Sequence, residues 1–510
     1  MLILADHNMS TIVDFYKNKN VLITGATGFL GKVLLWKLCQ SCPDIGKIYV
    51  LLRSKNNVSA EKRLVQLLKN KPFNFNNKQL QQTSLFDKIV AIESDITSKG
   101  LGLSERDRQL LREEVNVVFH CAASVRFDAP LKDNLRDNVL GTIELMALCN
   151  ESKNLNACVH VSTAYSNCHQ KDINEELCPL EMDSEKAVQM IEQMPDEICH
   201  KMEHKLLEGR PNTYTYTKAL AEHYVAKSEG KYPISIVRPS IVISSSEEPC
   251  PGWVDNVNGI GGLGCLAAIG VLRTIDWNYF AKSDMVPVDL VANCCICAAY
   301  TSATESPDKL MIFNMTSGNI APITWGEFFE KLRNEAVDTP PSKIVRPMIK
   351  SPKYHRANPI EFMVVKYMSE LFFAYFVDFI LTLIGYKRIM LKITKKMHHG
   401  YEILKPFTTN EWNFNSKNCT NMVEDLRKKD GDLFKFDMSN FDWDHQATVT
   451  WKGARNFLLK EEPTEQSYTL SRGRMRMVTL VHYLGVAILS CSFAITSYAG
   501  FNLVRAHLLS

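Results

Sequence analysis

Through the first 240 residues, short runs of apolar residues alternate with longer segments in which apolar positions recur at helical spacing. Short apolar runs separated by helices are typical of β-α-β units, whose strands form a buried parallel sheet. The pattern therefore predicts an α/β fold with a doubly wound parallel sheet. The predicted strands cover residues 20–24, 47–52, 88–92, 116–120, 157–162 and 234–238.

The regular alternation ends after Pro239, and glycines and prolines between residues 249 and 264 predict loops over a substrate cleft. A second, helical region is predicted from 360 to 460. Within it, residues 371–385 form an apolar run that is interrupted only by Asp378. This run is short for a membrane span and carries a charge, which favours an interfacial helix or the wall of an apolar pocket.

A longer apolar segment lies close to the end of the sequence. Residues 478–500 contain no Asp, Glu, Lys or Arg, and these 23 residues are enough to cross a bilayer as a helix. Arg472, Arg474 and Arg476 precede the segment and only Arg505 follows it, so the positive-inside rule places the bulk of the protein in the cytosol. We expect a single C-terminal transmembrane helix that acts as a tail anchor; a buried core helix is the alternative.

Composition and charge are those of an ordinary folded protein, with 45% hydrophobic residues, 23% charged residues and a net charge of +3. So small a net charge predicts no nucleic-acid partner. The fifteen cysteines have no repeating spacing, which favours a reducing compartment over a disulfide framework. Cys294, Cys295 and Cys297 lie in an apolar, helix-like run without a histidine at ligand spacing, so we expect core packing there and no metal site.

The first predicted strand runs directly into Thr24-Gly-Ala-Thr-Gly-Phe-Leu-Gly31, and an amphipathic helix follows. Glycines at this spacing permit a tight turn, the close approach of a pyrophosphate to the backbone, and close packing of the new helix. The phosphates then bind N–H groups at the positive end of that helix. The motif predicts a Rossmann-like dinucleotide site with contacts from Gly25, Thr27, Gly28, Phe29, Leu30 and Gly31.

A second cofactor signal follows the strand predicted at 47–52. Dinucleotide sites that bind NAD usually have an acidic residue here, about 20 residues beyond the glycines. This chain has Arg53 instead, with Lys55 close by. Two cations favour the 2′-phosphate of NADP, so we expect NADPH as the cofactor. The remaining expected contacts follow the third and fourth strands: Asp95 and Ile96 at the adenine, and Ala122 and Ala123 at the ribose.

Tyr214 and Lys218 are one helical turn apart, so both side chains project from the same face of a helix. A tyrosine with a pKa of about 10 is a poor acid-base group at neutral pH unless a cation stabilises its phenolate. Lys218 supplies that cation and can also hold the nicotinamide ribose. We therefore expect Tyr214 and Lys218 to be catalytic, whereas Tyr216 lies on a different helix face.

The third catalytic candidate is Thr163, which follows the strand predicted at 157–162 and is expected to hydrogen-bond the substrate carbonyl beside Tyr214. Ser162 is the alternative, because adjacent strand residues face opposite sides and the sequence does not decide between them. Asn138 either holds a water molecule that links Lys218 to solvent or lies exposed at the surface.

Together these motifs resemble those of the extended short-chain dehydrogenases/reductases, in the expected order: the glycine turn, His160-Val-Ser-Thr-Ala-Tyr165, Tyr214-x-x-x-Lys218 and Arg238-Pro-Ser240. One branch, the eukaryotic and insect-like fatty acyl-CoA reductases, is similar in its helical C-terminal region and in three further motifs: Leu51-Leu-Arg53, Val125-Arg-Phe-Asp128 and Pro251-Gly-Trp-Val-Asp-Asn256. The resemblance covers nearly all of residues 9–500.

The resemblance implies NADPH-dependent reduction of a long-chain fatty acyl-CoA to a primary fatty alcohol, through an aldehyde and with release of CoA. It also implies an NADP-binding reductase domain at 1–355 and a helical domain at 356–465 that accommodates the acyl tail. A basic linker and membrane anchor are expected at 466–510. The host membrane would be that of the endoplasmic reticulum or the peroxisome, with the catalytic domain in the cytosol.

Two other hypotheses remain open at this point. A sterol or sugar-nucleotide dehydrogenase of the same superfamily would keep Thr163, Tyr214 and Lys218 without an acyl-shaped C-terminal domain. A non-catalytic membrane scaffold would bind NADP for stability alone, and the intact set of catalytic side chains argues against it. The acyl chain length, the release of the aldehyde, the organelle and the oligomeric state are left open by the sequence.

Overall fold

The computed structural model describes residues 11–74, 86–257, 259–349, 352, 358–427, 429, 430 and 432–509. Backbone contacts divide the chain into two units. The sheet unit comprises Met1–Val254, Ala281–Thr324 and Asn410–Trp443, and the helical unit comprises Asp255–Phe280, Trp325–Thr409 and Asp444–Ser510. The units interleave along the chain, whereas the sequence predicted three consecutive segments. The predicted boundary between residues 355 and 356 lies outside the described residues.

The strands are β1 Val21–Thr24, β2 Ile48–Leu52, β3 Ile89–Glu93, β4 Val117–His120, β5 Ala157–Val161, β6 Asp172–Ile173, β7 Ile234–Pro239, β8 Ile241–Ile243, β9 Met285–Pro287, β10 Leu310–Met315 and β11 Asn413–Phe414. Seven of these form a parallel sheet in the order β10-β7-β5-β4-β1-β2-β3. All six strands predicted from the sequence are confirmed, with ends displaced by no more than one residue, and β10 is an additional strand. The order reverses between β1 and β4, and the crevice at their carboxyl ends is the usual ligand position in such sheets.

Helices cover both faces of this sheet. The α-helices are α1 Ile12–Tyr16, α2 Phe29–Ser41, α3 Ala60–Lys69, α4 Glu105–Glu114, α5 Leu131–Leu135, α6 Gly141–Glu151, α7 Ser184–Gln193, α8 Asp196–Leu206, α9 Thr213–Ala226, α10 Ile260–Ala268, α11 Val288–Glu305, α12 Trp325–Asp338, α13 Pro359–Val364, α14 Phe373–Leu383, α15 Met390–Thr409, α16 Lys417–Leu426, α17 Trp443–Gly453 and α18 Glu465–Leu509. On one face α11 packs on α2, β5 and β7. On the other, Leu111 of α4 and Leu145 of α6 form a buried cluster with Leu22 and Val118 of the sheet. The doubly wound α/β fold is confirmed.

Residues 410–443 belong to the sheet unit because they add β11 and α16 to it. Strand β11 pairs in parallel with β6, and Asn413 and Phe414 lie opposite Asp172 and Ile173. The carboxylate of Glu175 accepts hydrogen bonds from the N–H groups of Asn418 and Cys419 in the first turn of α16. The strand pairing and the contacts of Glu175 hold residues 410–443 in the sheet unit. They explain why the two structural units differ from the three consecutive segments that the sequence predicted.

Within the helical unit, Asp378 interrupts the apolar run for a structural reason. Its carboxylate accepts hydrogen bonds from the N–H groups of Ile389, Met390 and Leu391, at 3.0, 2.9 and 3.0 Å, and so satisfies the start of α15. Burial alone would raise the pKa of Asp378, but these three hydrogen bonds hold it below its usual value. The charge therefore fixes α14 against α15.

Helix α10 occupies part of the segment predicted as loop at 249–264, so that prediction is wrong for residues 260–264. The glycines there permit close packing. A Cβ atom at Gly262 would lie 2.0 Å from the carbonyl oxygen of Val257. The glycine-rich composition indicated turns, but tertiary packing decides the local structure.

Helix α18 is the only described helix that is long and apolar enough, by length and composition, to cross a membrane. Its first turns are tied down by Arg455, which donates hydrogen bonds to the hydroxyls of Ser467 at 2.9 Å and Ser471 at 3.2 Å. The same guanidinium lies over the ring of Tyr468 at 4.4 Å. The candidate span predicted at 478–500 begins two turns beyond these contacts.

Candidate active site

The glycine turn between β1 and α2 has the close backbone approach that the motif predicts. Gly25 has a φ of 73°, and a Cβ atom there would lie 2.7 Å from the backbone nitrogen of Ala122. A Cβ atom at Gly31 would lie 2.2 Å from the carbonyl oxygen of Gly25, so Gly31 lets α2 pack on the turn itself. Gly28 is the N-cap of α2 and has no side chain to cap the first N–H groups, which leaves them to an anionic ligand.

The carboxyl ends of β1 and β4 are joined at this turn. The hydroxyl of Thr24 accepts a hydrogen bond from the N–H of Ala122 at 3.1 Å and lies 2.8 Å from Nδ1 of His120. Burial lowers the pKa of His120 to about 3, so the ring is neutral and serves as a structural link. Ala122 and Ala123 are both half-buried beside the turn, as are Thr27 and Leu30 within it.

Phe29 begins α2, and its ring stacks on the buried ring of Trp253, with centroids 5.3 Å apart. The sequence suggested no role for Trp253 at the glycine turn. The one indication of Trp253 in the sequence was its place as the aromatic residue of the motif at 251–256. The stack fixes the position of the first residue of α2, where phosphate would bind.

Arg53 lies at the carboxyl end of β2 with 58% of its side chain exposed, and its guanidinium is 3.8 Å from the carboxylate of Asp95. Burial alone would raise the pKa of Asp95, but hydrogen bonds from Thr97 and the charge of Arg53 keep it below its usual value. Ile96 faces the backbone of α6, because a Cβ atom at Gly141 would lie 2.8 Å from its Cγ1. The structure thus brings Arg53 and Asp95 together, and turns Ile96 towards α6.

Tyr214 lies in the first turn of α9. Asn212 is the N-cap of this helix, and its side-chain oxygen accepts a hydrogen bond from the N–H of Thr215 at 2.9 Å. The hydroxyl of Tyr214 is hydrogen-bonded to Thr163, and burial raises its pKa to about 12. The ring of Phe127 lies 5.2 Å from that of Tyr214. Tyr214 is therefore a neutral hydroxyl at physiological pH, held against Thr163.

Tyr216 faces the other way, as the sequence predicted. It is 2% exposed and belongs to a hydrophobic cluster with Leu131, Leu135 and Leu220. The spacing of two residues on a helix places it on the core side, where the substrate cannot reach it.

Lys218 is buried, and its ammonium donates a hydrogen bond to the carbonyl oxygen of Val161 at 2.7 Å. Burial lowers its pKa to about 8, an effect opposed by the negative charge of Glu222. Lys218 and Tyr214 project from the same face of α9, one turn apart. Lys218 is thus charged at neutral pH but close to its titration.

A buried ion pair lies behind the lysine. Arg238 donates to both carboxylate oxygens of Glu222, at 2.9 and 2.7 Å, and Ser162 and Ser166 donate to the same carboxylate. Burial alone would raise the pKa of Glu222, but Arg238 and the two serines hold it below its usual value. Glu222 was not predicted from the sequence. Its position four residues after Lys218, on the same helix face, could have indicated that it acts on the lysine.

This network separates the two candidate hydroxyls. Ser162 is directed to Glu222, whereas Thr163 is directed to Tyr214. Adjacent residues at the end of β5 face opposite sides, so only one of them can face the tyrosine.

Asn138 is 1% exposed, so the alternative of surface exposure is wrong. It lies in a π-helical turn, Arg136–Leu140, between α5 and α6. Its side-chain amide donates to Thr217 at 3.1 Å and to the carbonyl of Ser124 at 3.2 Å, and its oxygen accepts from the N–H of Ser124 at 2.7 Å. Asn138 ties the segment after β4 to α9, the helix of the catalytic candidates.

The residues brought together at the carboxyl ends of β1, β4 and β5 fit a dinucleotide. The glycine turn leaves room that a Cβ atom would fill, and the first turn of α2 offers N–H groups. Lys218 places a buried cation one helical turn along α9 from Tyr214. In the described ranges no group of three or more His, Cys, Asp or Glu side chains could hold a metal ion.

Comparison with known proteins identifies related sequences over most of the chain. Residues 23–295 match an NAD-binding family model described as "Male sterility protein", and residues 369–461 match a second model of that description. Fatty acyl-CoA reductase 1 of Rattus norvegicus is 38% identical over 455 residues, which cover 89% of this chain and 87% of the relative. The Homo sapiens protein of that name is 37% identical over the same shares.

A solved structure also has this fold. The terminal R domain from the myxalamid PKS-NRPS biosynthetic pathway aligns with a TM-score of 0.58 and 20% identity, over 86% of this chain and 92% of that domain. At this identity the likeness concerns the fold, and it extends beyond the parallel sheet to most of the chain.

Proposed function

This chain belongs to the fatty acyl-CoA reductase family, and on that premise we propose that it reduces a long-chain fatty acyl-CoA to a primary fatty alcohol with NADPH. It is an oxidoreductase with a nicotinamide dinucleotide cofactor. The observation that carries the proposal is the hydrogen bond between the hydroxyls of Thr163 and Tyr214, one helical turn from the buried Lys218. That constellation suits the reduction of a carbonyl group.

NADPH, when bound, supplies the two electrons and the hydrogen for each of two successive reductions. In the first, the hydroxyls of Thr163 and Tyr214 hydrogen-bond the thioester oxygen, where negative charge develops. Tyr214 donates its proton to that oxygen. The resulting hemithioacetal returns its hydroxyl proton to the Tyr214 phenolate and expels CoA as the thiolate, which leaves an aldehyde. In the second, Tyr214 again donates a proton, and the aldehyde becomes the alcohol. One proton from solvent then restores Tyr214, and a second protonates the CoA thiolate.

The pKa directions support these roles. Burial raises the pKa of Tyr214 to about 12, so the group enters each reduction as a proton donor. The ammonium of Lys218 stabilises the phenolate that remains after donation, and it is charged below its pKa of about 8. Val161 and Glu222 keep that ammonium in place.

The preference for NADPH over NADH is part of the proposal. It rests on Arg53, which is exposed at the end of β2 where NAD-dependent relatives of this fold carry an acidic residue. A guanidinium can bind the 2′-phosphate in bidentate fashion. Asp95 lies 3.8 Å from the guanidinium and can hold it in position.

Membrane attachment through α18 is also proposed, with the catalytic part in the cytosol and the endoplasmic reticulum or the peroxisome as host. The support is the length and composition of the helix together with the arginines at 472, 474 and 476 before its apolar part. A membrane location suits a long-chain acyl substrate, which partitions into lipid. The predicted segments 1–355, 356–465 and 466–510 remain the proposed division by family function.

The test is product analysis with oleoyl-CoA and NADPH, using full-length protein in detergent or vesicles. We expect oleyl alcohol and free CoA in equal amounts, with two NADPH consumed per alcohol. Tyr214→Phe removes the proton donor and should lower kcat/KM by about 10²–10⁴-fold. Tyr216→Phe, the same change two residues away in the core, should leave it within about twofold. Absence of alcohol and aldehyde with the wild-type chain, or equal effects of the two substitutions, would overturn the proposal.

A further inference from the structure

The helical unit exposes a continuous row of large apolar side chains on α14 and the segments that flank it. We call this row the apolar ridge: Phe372, Phe376, Phe379, Leu383, Ile384 and Tyr386. Its members are exposed by 51% to 69% of their surface, with Phe379 at 61%. The first four recur at intervals of four, three and four residues, so they form one stripe along a helix. Soluble surfaces rarely carry apolar patches of this extent without a binding role.

The opposite face of α14 is packed, so the ridge cannot turn inward. Ala374 is fully buried, and Asp378 is fixed on the N-terminus of α15 by three hydrogen bonds. At the start of the helix, the guanidinium of Arg346 stacks on the ring of Phe373 at 3.8 Å. The exposure of the ridge therefore follows from the way its helix is held.

Charge distribution points to the chemistry of the occupant. Between residues 379 and 401 the chain contains no Asp or Glu, and five exposed cations follow the ridge: Lys387, Arg388, Lys392, Lys395 and Lys396. Apolar and aromatic side chains with lysine and arginine at their margin are the pattern of a helix that lies in the headgroup region of a membrane. Cations at that depth attract anionic lipids.

We propose that the apolar ridge lies in the interfacial layer of a phospholipid membrane and forms a second attachment beside α18. The row of exposed aromatic and aliphatic side chains enters the upper acyl region, and the cations after it contact the headgroups. This role goes beyond the proposed reaction and does not require that α18 crosses the bilayer. The acyl chain of the substrate and a second copy of this chain are the competing occupants.

Photocrosslinking of the full-length protein in vesicles of phosphatidylcholine and phosphatidylserine tests the proposal. p-Benzoylphenylalanine replaces Phe379 in the ridge, Leu484 in α18, or Ile198, which is 50% exposed on α8 of the sheet unit. We expect phospholipid adducts at 379 and 484 by mass spectrometry, and none at 198. Phospholipid adducts at 379 without any at 484 support the ridge and reject the anchor. Absence of phospholipid adducts at 379, adducts with added acyl-CoA alone, or a crosslinked second chain would each overturn the ridge proposal.

A second set of variants tests the role of charge. Lys387→Glu with Arg388→Glu should reduce the phospholipid adduct yield at 379 in the anionic vesicles by about fivefold or more. In vesicles of phosphatidylcholine alone the same pair should have little effect. Lys201→Glu with Lys205→Glu, on α8, is the matched control and should change neither yield. An equal loss of adducts in both vesicle types would contradict an electrostatic contribution.

Discussion

Glu222 is a buried carboxylate in the sheet unit that accepts hydrogen bonds from three neighbouring side chains. Its carboxylate accepts from Arg238, Ser162 and Ser166, and its charge favours the protonated form of Lys218. At the scale of single residues, this leaves Thr163 as the hydroxyl beside Tyr214. A change at Glu222 would therefore affect catalysis through Lys218 without contact with the substrate.

The pH dependence of reduction follows from Lys218. Its pKa is lowered by burial to about 8, so the ammonium is present below that pH and is lost above it, whereas Tyr214 keeps its proton until about pH 12. We expect kcat/KM for acyl-CoA reduction to fall tenfold per pH unit above a single inflection near 8. Lys218→Arg should lower the rate but abolish that inflection, because arginine stays charged. An inflection that persists in the variant would assign the titration to another group.

The proposed preference for NADPH rests on one exposed side chain, Arg53. Arg53→Asp should raise the KM for NADPH by about 10–100-fold, because it replaces a phosphate-binding cation with an anion beside Asp95. The KM for NADH should change by much less. Arg106→Asp, at an exposed position of α4, is the control for a general loss of positive charge, and steady-state kinetics with both cofactors measures the ratio. A larger rise for NADH than for NADPH would contradict the assignment.

The shared helix face of Tyr214 and Lys218, the proposed catalytic pair, could be predicted because helical spacing alone places residues four apart on one face. The choice between Ser162 and Thr163 could not, since it depends on Glu222, which lies on another element. The burial of Asn138 is equally non-local, because its partners Ser124 and Thr217 come from separate segments.

At the scale of elements, apolar runs predicted the central strands to within a residue, because those strands are buried on both faces and read as continuous apolar sequence. Strand β10 was missed: its run 310–315 lies beyond the irregular region, and its place is set by pairing with β7. Helix α10 was missed because glycine lowers intrinsic helix propensity while packing on Val257 favours the helix.

The first turn of α2 tolerates no side chain at Gly31. Gly31→Ala would place a Cβ atom 2.2 Å from the carbonyl oxygen of Gly25, so the turn must shift. We expect a loss of stability of about 1–3 kcal/mol and weaker NADPH binding, measured by thermal unfolding with and without cofactor. Gly264→Ala, in α10 with open space around the new methyl group, should be neutral or stabilising by up to about 1 kcal/mol. Equal effects would refute the steric explanation.

At the scale of the whole molecule, two kinds of membrane contact are proposed on the helical unit, through α18 and through the apolar ridge. They differ physically. A spanning helix is integral, whereas a helix in the headgroup layer is held by partial burial and charge. Extraction of membranes with alkaline carbonate should therefore distinguish attachment through α18 from attachment through the apolar ridge.

Deletion of residues 478–510 should convert integral attachment into peripheral attachment. The full-length protein should remain in membranes after alkaline carbonate, and the shortened protein should sediment with membranes at low salt but be released by carbonate. Activity towards a short, water-soluble acyl-CoA should persist, because every proposed catalytic residue lies in the sheet unit. Carbonate-resistant attachment of the shortened protein would exclude α18 as the sole integral anchor.

The interleaving of the two units also bears on how this protein can change over evolutionary time. Each unit is assembled from three separate stretches of chain, so no single contiguous exchange by recombination can transfer either unit whole without part of the other. Proteins with consecutive domains gain new modules by a single gene fusion. Here that route is closed for the helical unit, so inherited diversity in it must accumulate by substitution, while the segment 410–443 that interrupts it stays bound to the sheet unit through β11 and α16.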